Sequence, residues 1–179
     1  VRRDGRLMAF DCIEFEPAFR WIDVADEVAF LISDLDARGF QRHAHAFLSG
    51  YLTRSGDFNL CRFLRMYLAH RALVRAKIAA LSAGELPEPA DREPLRQQYA
   101  RYVDCARRAL QHTRPTLILM YGLSGSGKTW LAGRLAPELG AVLLRSDVER
   151  KRLAGLEPTA RPASANNEAT LGTGLYSRQ

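Results

Sequence analysis

Apolar positions recur with a helical period through most of the first 110 residues. After Asp23, they fall at intervals that form one stripe on a helix ending near Gly39: Val24, Val28, Leu31, Ile32 and Leu35. Further helices are predicted over residues 41–53, 58–82 and 92–111. The helix over residues 58–82 has its predicted buried side at Leu60, Phe63, Leu64, Tyr67, Leu68, Val74, Ile78 and Leu81.

The pattern changes after Pro115. Residues 116–121 and 141–144 are continuous apolar runs, which are typical of strands buried on both faces. Helices are predicted between and after these runs, over residues 127–138 and 146–153. Strand, helix and strand in this order predict a βαβ unit. The fold class expected for the whole chain is therefore α/β: a helical part followed by the first βαβ unit of a second domain.

The N-terminus carries a hairpin signal, Asp4-Gly5, ahead of a predicted strand over residues 7–15. Only three residues precede Asp4, and the chain does not begin with Met. Both observations lead us to expect that the sequence was cut from a longer protein.

Composition narrows the classes of protein. The chain has 179 residues, of which 47% are hydrophobic and 26% charged, as in ordinary globular proteins. No apolar run is long enough to predict a membrane span. The net charge of +6 comes from arginines scattered among acids, which argues against a nucleic-acid partner.

Cysteine and histidine add little chemistry. The three cysteines, Cys12, Cys61 and Cys105, are far apart and odd in number, which favours reduced thiols in a cytoplasmic protein. His43 and His45 lie on different sides of a predicted helix, without a nearby third ligand, so the pattern does not predict a metal site.

The strongest chemical signal is a phosphate-binding loop of the form G-x-x-x-x-G-K-[ST]. It consists of Gly122, Leu123, Ser124, Gly125, Ser126, Gly127, Lys128 and Thr129. Glycines allow successive N–H groups to point at phosphate oxygens, and the following helix directs its positive end at the same anion. Lys128 is expected to bind the β- and γ-phosphates of ATP, and the Thr129 hydroxyl to ligate Mg²⁺.

Asp147 is a second candidate catalytic residue, beside Lys128. It follows the predicted strand 141–144, and ligands of open α/β sheets bind at the carboxyl ends of strands. A carboxylate there could accept the proton of a substrate hydroxyl. The alternative is structural, because Ser146 and Glu149 have the spacing of a capping box and an acidic residue favours a helix N-terminus.

Residues 114–156 resemble the start of a small P-loop kinase of the gluconate-kinase and zeta-toxin-like group. The resemblance rests on the loop and on the segment Arg145-Ser-Asp-Val-Glu-Arg-Lys-Arg-Leu-Ala-Gly155. It implies ATP on residues 122–129, and a general-base or substrate-binding role for Asp147. The phosphoryl acceptor implied is a hydroxyl of a small molecule that the sequence does not identify.

Residues 4–82 resemble the C-terminal part of aminoglycoside phosphotransferase-like kinases. The similar segments are Asp4-Gly-Arg-Leu-Met-Ala-Phe-Asp11-Cys-Ile-Glu-Phe and Arg20-Trp-Ile-Asp23-Val-Ala-Asp-Glu-Val-Ala-Phe. The resemblance implies that Asp11 binds Mg²⁺ and that Asp23 supports the active-site region. The residues themselves equally allow a strand-end Asp11 and a helix N-cap at Asp23.

Together, these resemblances are to bacterial fusions of a phosphotransferase-like domain with a P-loop ATPase or kinase domain of the AAA family. The expected division is residues 1–83, the end of the first domain; 84–113, a linker and connecting helix; and 114–179, the beginning of the second. The predicted function is ATP-dependent phosphoryl transfer, although this segment alone is expected to be weak or inactive. The alternative is an ATP-hydrolysing regulatory or binding module.

Overall fold

The computed structural model describes residues 2–3, 5–7, 17–111 and 114–156. Two very short strands come first, β1 (Arg2–Arg3) and β2 (Arg6–Leu7). Short 3₁₀ turns lie at Pro17–Arg20 and Phe58–Leu60. The six α-helices of the described residues are α1 (Val24–Ala37), α2 (Gln41–Ser55), α3 (Cys61–Glu85), α4 (Pro89–Leu110), α5 (Lys128–Leu139) and α6 (Ser146–Leu153).

The expected α/β fold is wrong for the described residues, which are predominantly helical. Neither 116–121 nor 141–144 is a strand, and the side chains of Leu117 and Tyr121 are 78% and 100% exposed. A strand exists only when a neighbour completes its hydrogen-bond ladder, and no described residue pairs with either run. The apolar pattern alone therefore predicted a parallel sheet that the described residues 114–156 do not form.

β1 and β2 form an antiparallel pair on either side of Gly5, the second residue of the predicted turn. Arg2 lies opposite Leu7 and Arg3 opposite Arg6, and Gly5 has a φ of 76°. The hairpin is therefore present, with only two residues on each side. The rest of the predicted strand, residues 8–15, lies outside the described residues.

Helices α3 and α4 form an antiparallel pair that packs through small side chains. The buried positions of α3 after residue 65 are alanines spaced three and four apart, at Ala69, Ala72, Ala76, Ala79 and Ala83. Small residues let two helix backbones approach closely. Ala69, Ala72 and Ala76 lie in one buried cluster with Tyr102, Cys105 and Ala106 of α4.

The buried side predicted for α3 is therefore wrong in part. Leu60 and Leu64 are buried as expected, whereas Phe63, Ile78 and Leu81 are 51%, 48% and 59% exposed. Residues 84–113, predicted as a linker and connecting helix, contain the last two residues of α3 and all of α4, which packs along α3 and α1.

Helix α1 lies against both α3 and α2. Val28 and Ile32 are buried as predicted, but Val24 and Leu31 are about half exposed, because Ala25 and Ala29 occupy the contact instead. Asp23 is the N-cap and accepts a hydrogen bond from the Ala25 amide at 2.9 Å.

Polar contacts fasten the start of α1 to α3. The second carboxylate oxygen of Asp23 accepts from the Tyr67 hydroxyl at 3.2 Å. Arg71 pairs with Asp26 at 2.7 Å, and its guanidinium lies 5.4 Å from the centre of the Phe30 ring. Both acidic partners lie at the first turn of α1, where negative charge also favours the helix dipole.

The end of α1 is fastened to α4 by a part-buried polar cluster. The Tyr102 hydroxyl donates to Asp34, and the Cys105 thiol donates to Asp36 with an Sγ–Oδ2 distance of 3.2 Å. Arg108 pairs with the same Asp36 carboxylate at 3.0 Å. Burial, with help from the Asp36 carboxylate, raises the pKa of the Cys105 thiol from its ordinary value of 9.0 to about 12.

The raised pKa of Cys105 predicts how stability depends on alkaline pH. Between pH 9 and about 12 the unfolded chain releases the thiol proton while the folded chain retains it, so the free energy of unfolding falls as pH rises. Cys105→Ala removes this contribution and should make the fall shallower. Urea unfolding at pH 8 and pH 10.5 measures both slopes, and identical slopes would contradict the assignment.

Candidate nucleotide-binding site

The glycine-rich loop connects residues 114–121 to helix α5. Gly125 and Gly127 have φ angles of 77° and 81°, in the left-handed region that favours glycine. Gly127 is also the N-cap of α5, so its left-handed conformation sets the direction in which the helix begins. Gly122, the first glycine of the motif, also has a positive φ, of 147°, so the loop backbone favours glycine at all three positions.

The first turn of α5 presents an electropositive helix end to the loop. The first N–H groups of an α-helix have no acceptor within the helix, and no side chain caps this N-terminus. Residues 122–127 are all exposed. An anion could therefore reach both the loop and the helix end.

Lys128 folds back across the loop. Its ammonium group donates to the carbonyl oxygens of Gly122, at 2.7 Å, and of Leu123, and lies 3.4 Å from the Ser126 hydroxyl. Its positive charge is therefore held over the loop without a carboxylate partner among the described residues. Thr129, the predicted Mg²⁺ ligand, follows in the first turn of α5 and is exposed.

Asp147 lies in the first turn of α6, apart from the contacts made by the loop. Its carboxylate accepts from Arg145 at 3.0 Å, and its side chain is 46% exposed. The predicted capping box is wrong: Arg145 is the N-cap, Ser146 is already helical, and no side chain caps the helix. Asp147 instead favours the N-terminus of α6 through its charge alone.

Helix α2 contacts the end of α5, the helix that follows the loop, and the segment just after it, which the sequence did not predict. Arg42 pairs with Glu138 near the end of α5 at 2.6 Å. His45 Nε2 lies 2.9 Å from the Ala141 carbonyl oxygen. Since a carbonyl only accepts, Nε2 carries the proton, and Nδ1 faces the Ser49 hydroxyl at 3.4 Å.

The other residues considered as metal-binding or active-site residues do not contribute to the loop. His43 packs edge-on against Phe40, away from the contact of His45, so the two histidines do not converge. Asp23 caps α1. Asp11, predicted to bind Mg²⁺ in the first domain, lies outside the described residues.

None of the helices in the described part of the chain is both long and apolar enough to cross a membrane.

Comparison with known proteins identifies the region that contains the loop. Residues 117–176 match the family model of an AAA domain, a P-loop NTPase-like module with kinase-like members. This match supports nucleotide binding as the general function of that region. It covers none of residues 1–116, so the resemblance of residues 4–82 to aminoglycoside phosphotransferases stays a prediction.

The chain is also similar to uncharacterised proteins of mycobacteria. One from Mycobacterium bovis and two from strains of Mycobacterium tuberculosis are 36% identical to it over 177 residues. The alignment covers 98% of this chain and 33% of each relative, so the chain spans about a third of the length of these proteins. No solved structure matches the chain significantly.

Proposed function

We propose that residues 122–129 bind the phosphates of MgATP. The observation that carries this proposal is the full phosphate-binding motif at the start of a helix, with left-handed glycines at 125 and 127. The match of residues 117–176, which include this motif, to an AAA domain also supports it. Backbone N–H groups of the loop and of the first turn of α5 would surround the β-phosphate.

Two side chains complete the proposed site. Lys128 would exchange its carbonyl partners on Gly122 and Leu123 for phosphate oxygens, which form stronger, charge-assisted hydrogen bonds. Thr129 offers an exposed hydroxyl, the hard oxygen donor that fits Mg²⁺, an ion that keeps several waters and phosphate oxygens as its other ligands. Bound Mg²⁺ would neutralise charge on the β- and γ-phosphates.

The reaction that we propose is transfer of the γ-phosphoryl group to a hydroxyl of a small molecule. In that reaction Asp147 would accept the proton of the acceptor hydroxyl. Its carboxylate is partly exposed, and its described partner is Arg145, which precedes it by two residues. Arg145 would therefore orient the carboxylate while leaving one side of it open to an acceptor.

A second candidate function is an ATP-hydrolysing regulatory module. The contacts from α2 to Glu138 and Ala141 favour it, because they join the helical part of the chain to the end of the loop helix. A change at the loop on nucleotide binding or hydrolysis would then reach α2 directly. In this alternative, Asp147 has no role in proton transfer.

Both candidates fit the proposed division of the chain into two parts. Residues 1–83 would belong to a domain that receives or transmits the effect of nucleotide, and residues 114–179 to the nucleotide-binding domain. Residues 84–113, which include α4, would connect them.

The first prediction concerns Lys128. Lys128→Ala should weaken MgATP binding by about tenfold or more, because a charge-assisted bond to phosphate is worth ~1.5–3 kcal/mol. Trp130, two residues away on α5, reports binding by fluorescence in a Trp21→Phe background, since the chain has two tryptophans. Lys77→Ala, which removes an exposed lysine of α3, is the matched control. Equal affinity in both variants would exclude the loop as the ATP site.

The second prediction concerns Asp147 and separates the two candidate functions. If Asp147 is the base, Asp147→Asn should lower phosphoryl transfer from ATP to hydroxyl acceptors by about 100-fold or more, with MgATP affinity unchanged. Radiolabelled ATP with a panel of sugars and nucleosides measures transfer and hydrolysis together. Hydrolysis that persists unchanged in Asp147→Asn, without transfer by either protein, would support the regulatory module instead.

A further inference from the structure

We propose that Arg152 is a positioning residue that holds helix α6, and with it Asp147, against the C-terminal end of α2. The role of Asp147 rests on the proposed function above, whereas the attachment of α6 to α2 rests on contacts alone. Arg152 lies in the last turn of α6, five residues after Asp147. It was not singled out by any sequence motif.

Arg152 bridges its own helix and α2 through two different nitrogens. Nη1 donates to the Glu149 carboxylate one turn earlier, and Nη2 donates to the Thr53 carbonyl oxygen in α2. The last four carbonyls of a helix have no partner within it, and Thr53 is among those of α2. The guanidinium therefore supplies a donor that the Thr53 carbonyl otherwise lacks among the described residues.

Gly56 leaves the space that Arg152 occupies. A Cβ atom at this position would lie 2.6 Å from Arg152 Nε and 2.7 Å from its Cδ, closer than van der Waals contact allows. Gly56 also ends α2 with a φ of 74°, a conformation that favours glycine. Glycine at 56 thus permits both the end of α2 and the passage of the arginine stem.

Helix α6 depends on such contacts because it has only eight residues. Isolated helices of this length are unstable in water, so tertiary contacts must hold it in place. Val148, whose side chain is 3% exposed, is another anchor of α6. Loss of the Arg152 bridge should therefore loosen the turn that carries Asp147.

The same helix, α2, holds the segment that leads into α6. Arg42 contacts Glu138, His45 contacts the Ala141 carbonyl, and Thr53 contacts Arg152. These partners follow one another along α2 in the same order as along residues 138–152. Helix α2 is thus a support that runs from the end of the loop helix to the end of α6.

Hydrogen–deuterium exchange on the full 179-residue chain tests this inference. In Arg152→Ala, amides of residues 148–155 should exchange roughly tenfold faster, while those of α3 and α4 stay unchanged. Arg150→Ala is the matched control, because it removes the same charge from α6 at an exposed position whose side chain makes no hydrogen bond or ion pair within the described part of the chain. Equal exchange in α6 of both variants would overturn the proposal.

A second pair of variants displaces Arg152 without removing it. Gly56→Ala and Gly39→Ala impose similar backbone strain at left-handed glycines that follow helices, but a Cβ at residue 39 has nothing within 4 Å. We expect Gly56→Ala to speed exchange in α6 and Gly39→Ala to leave it unchanged. Faster exchange in both, or in neither, would contradict the proposed role of Arg152.

Phosphoryl transfer then separates this inference from the proposed function. If both hold, Arg152→Ala lowers kcat for transfer with little change in MgATP affinity, and Arg152→Lys restores part of the rate. If Arg152→Ala speeds exchange in α6 but Asp147→Asn is fully active, the attachment of α6 by Arg152 is retained and the role of Asp147 as base is rejected. If Arg152→Ala leaves exchange in α6 unchanged but Asp147→Asn is inactive, the attachment by Arg152 is rejected and the role of Asp147 as base is retained.

Discussion

The arrangement of residues 122–156, which contain the phosphate-binding loop, α5 and α6, depends on their contact with helix α2. Helices α5 and α6 have 12 and 8 residues, and the apolar run before the loop is exposed and unpaired among the described residues. These helices bury few side chains of their own: Ala132, Ala136 and Val148. Helix α2 therefore holds these residues by polar contacts. They are the ion pair of Arg42 with Glu138 and the hydrogen bonds of His45 with Ala141 and of Thr53 with Arg152.

Helix α2 is in turn held by the helical part of the chain. Ala44 lies in one buried cluster with Val28, Ile32 and Leu64, which joins α2 to α1 and α3. The alanine stripe of α3 brings α4 close, and the carboxylates of α1 receive donors from both neighbours. A route of direct contacts thus leads from α4, through α1 and α2, to the two helices that carry Lys128 and Asp147.

The sequence predicted the helices well, because their ends are encoded locally. Asp23 caps α1, while Gly39, Gly56 and Gly140 adopt left-handed conformations just after helices. The sheet and the core were predicted less well. A strand requires a partner that the apolar run 116–121 does not itself specify, and the alanines of α3 bury where larger neighbours were expected. Arg152 was missed because its acceptor is a backbone carbonyl 99 residues away, which leaves no signature in sequence.

The central claim is that the loop amides of residues 122–129 bind the phosphates of ATP. Titration of MgATP into the ¹⁵N-labelled chain, followed by NMR, tests it most directly because each amide is observed separately. We expect the largest shifts on the amides of Gly125, Gly127, Lys128 and Thr129, with smaller ones in α2. Unchanged loop amides at saturating MgATP, or shifts confined to α3 and α4, would contradict it.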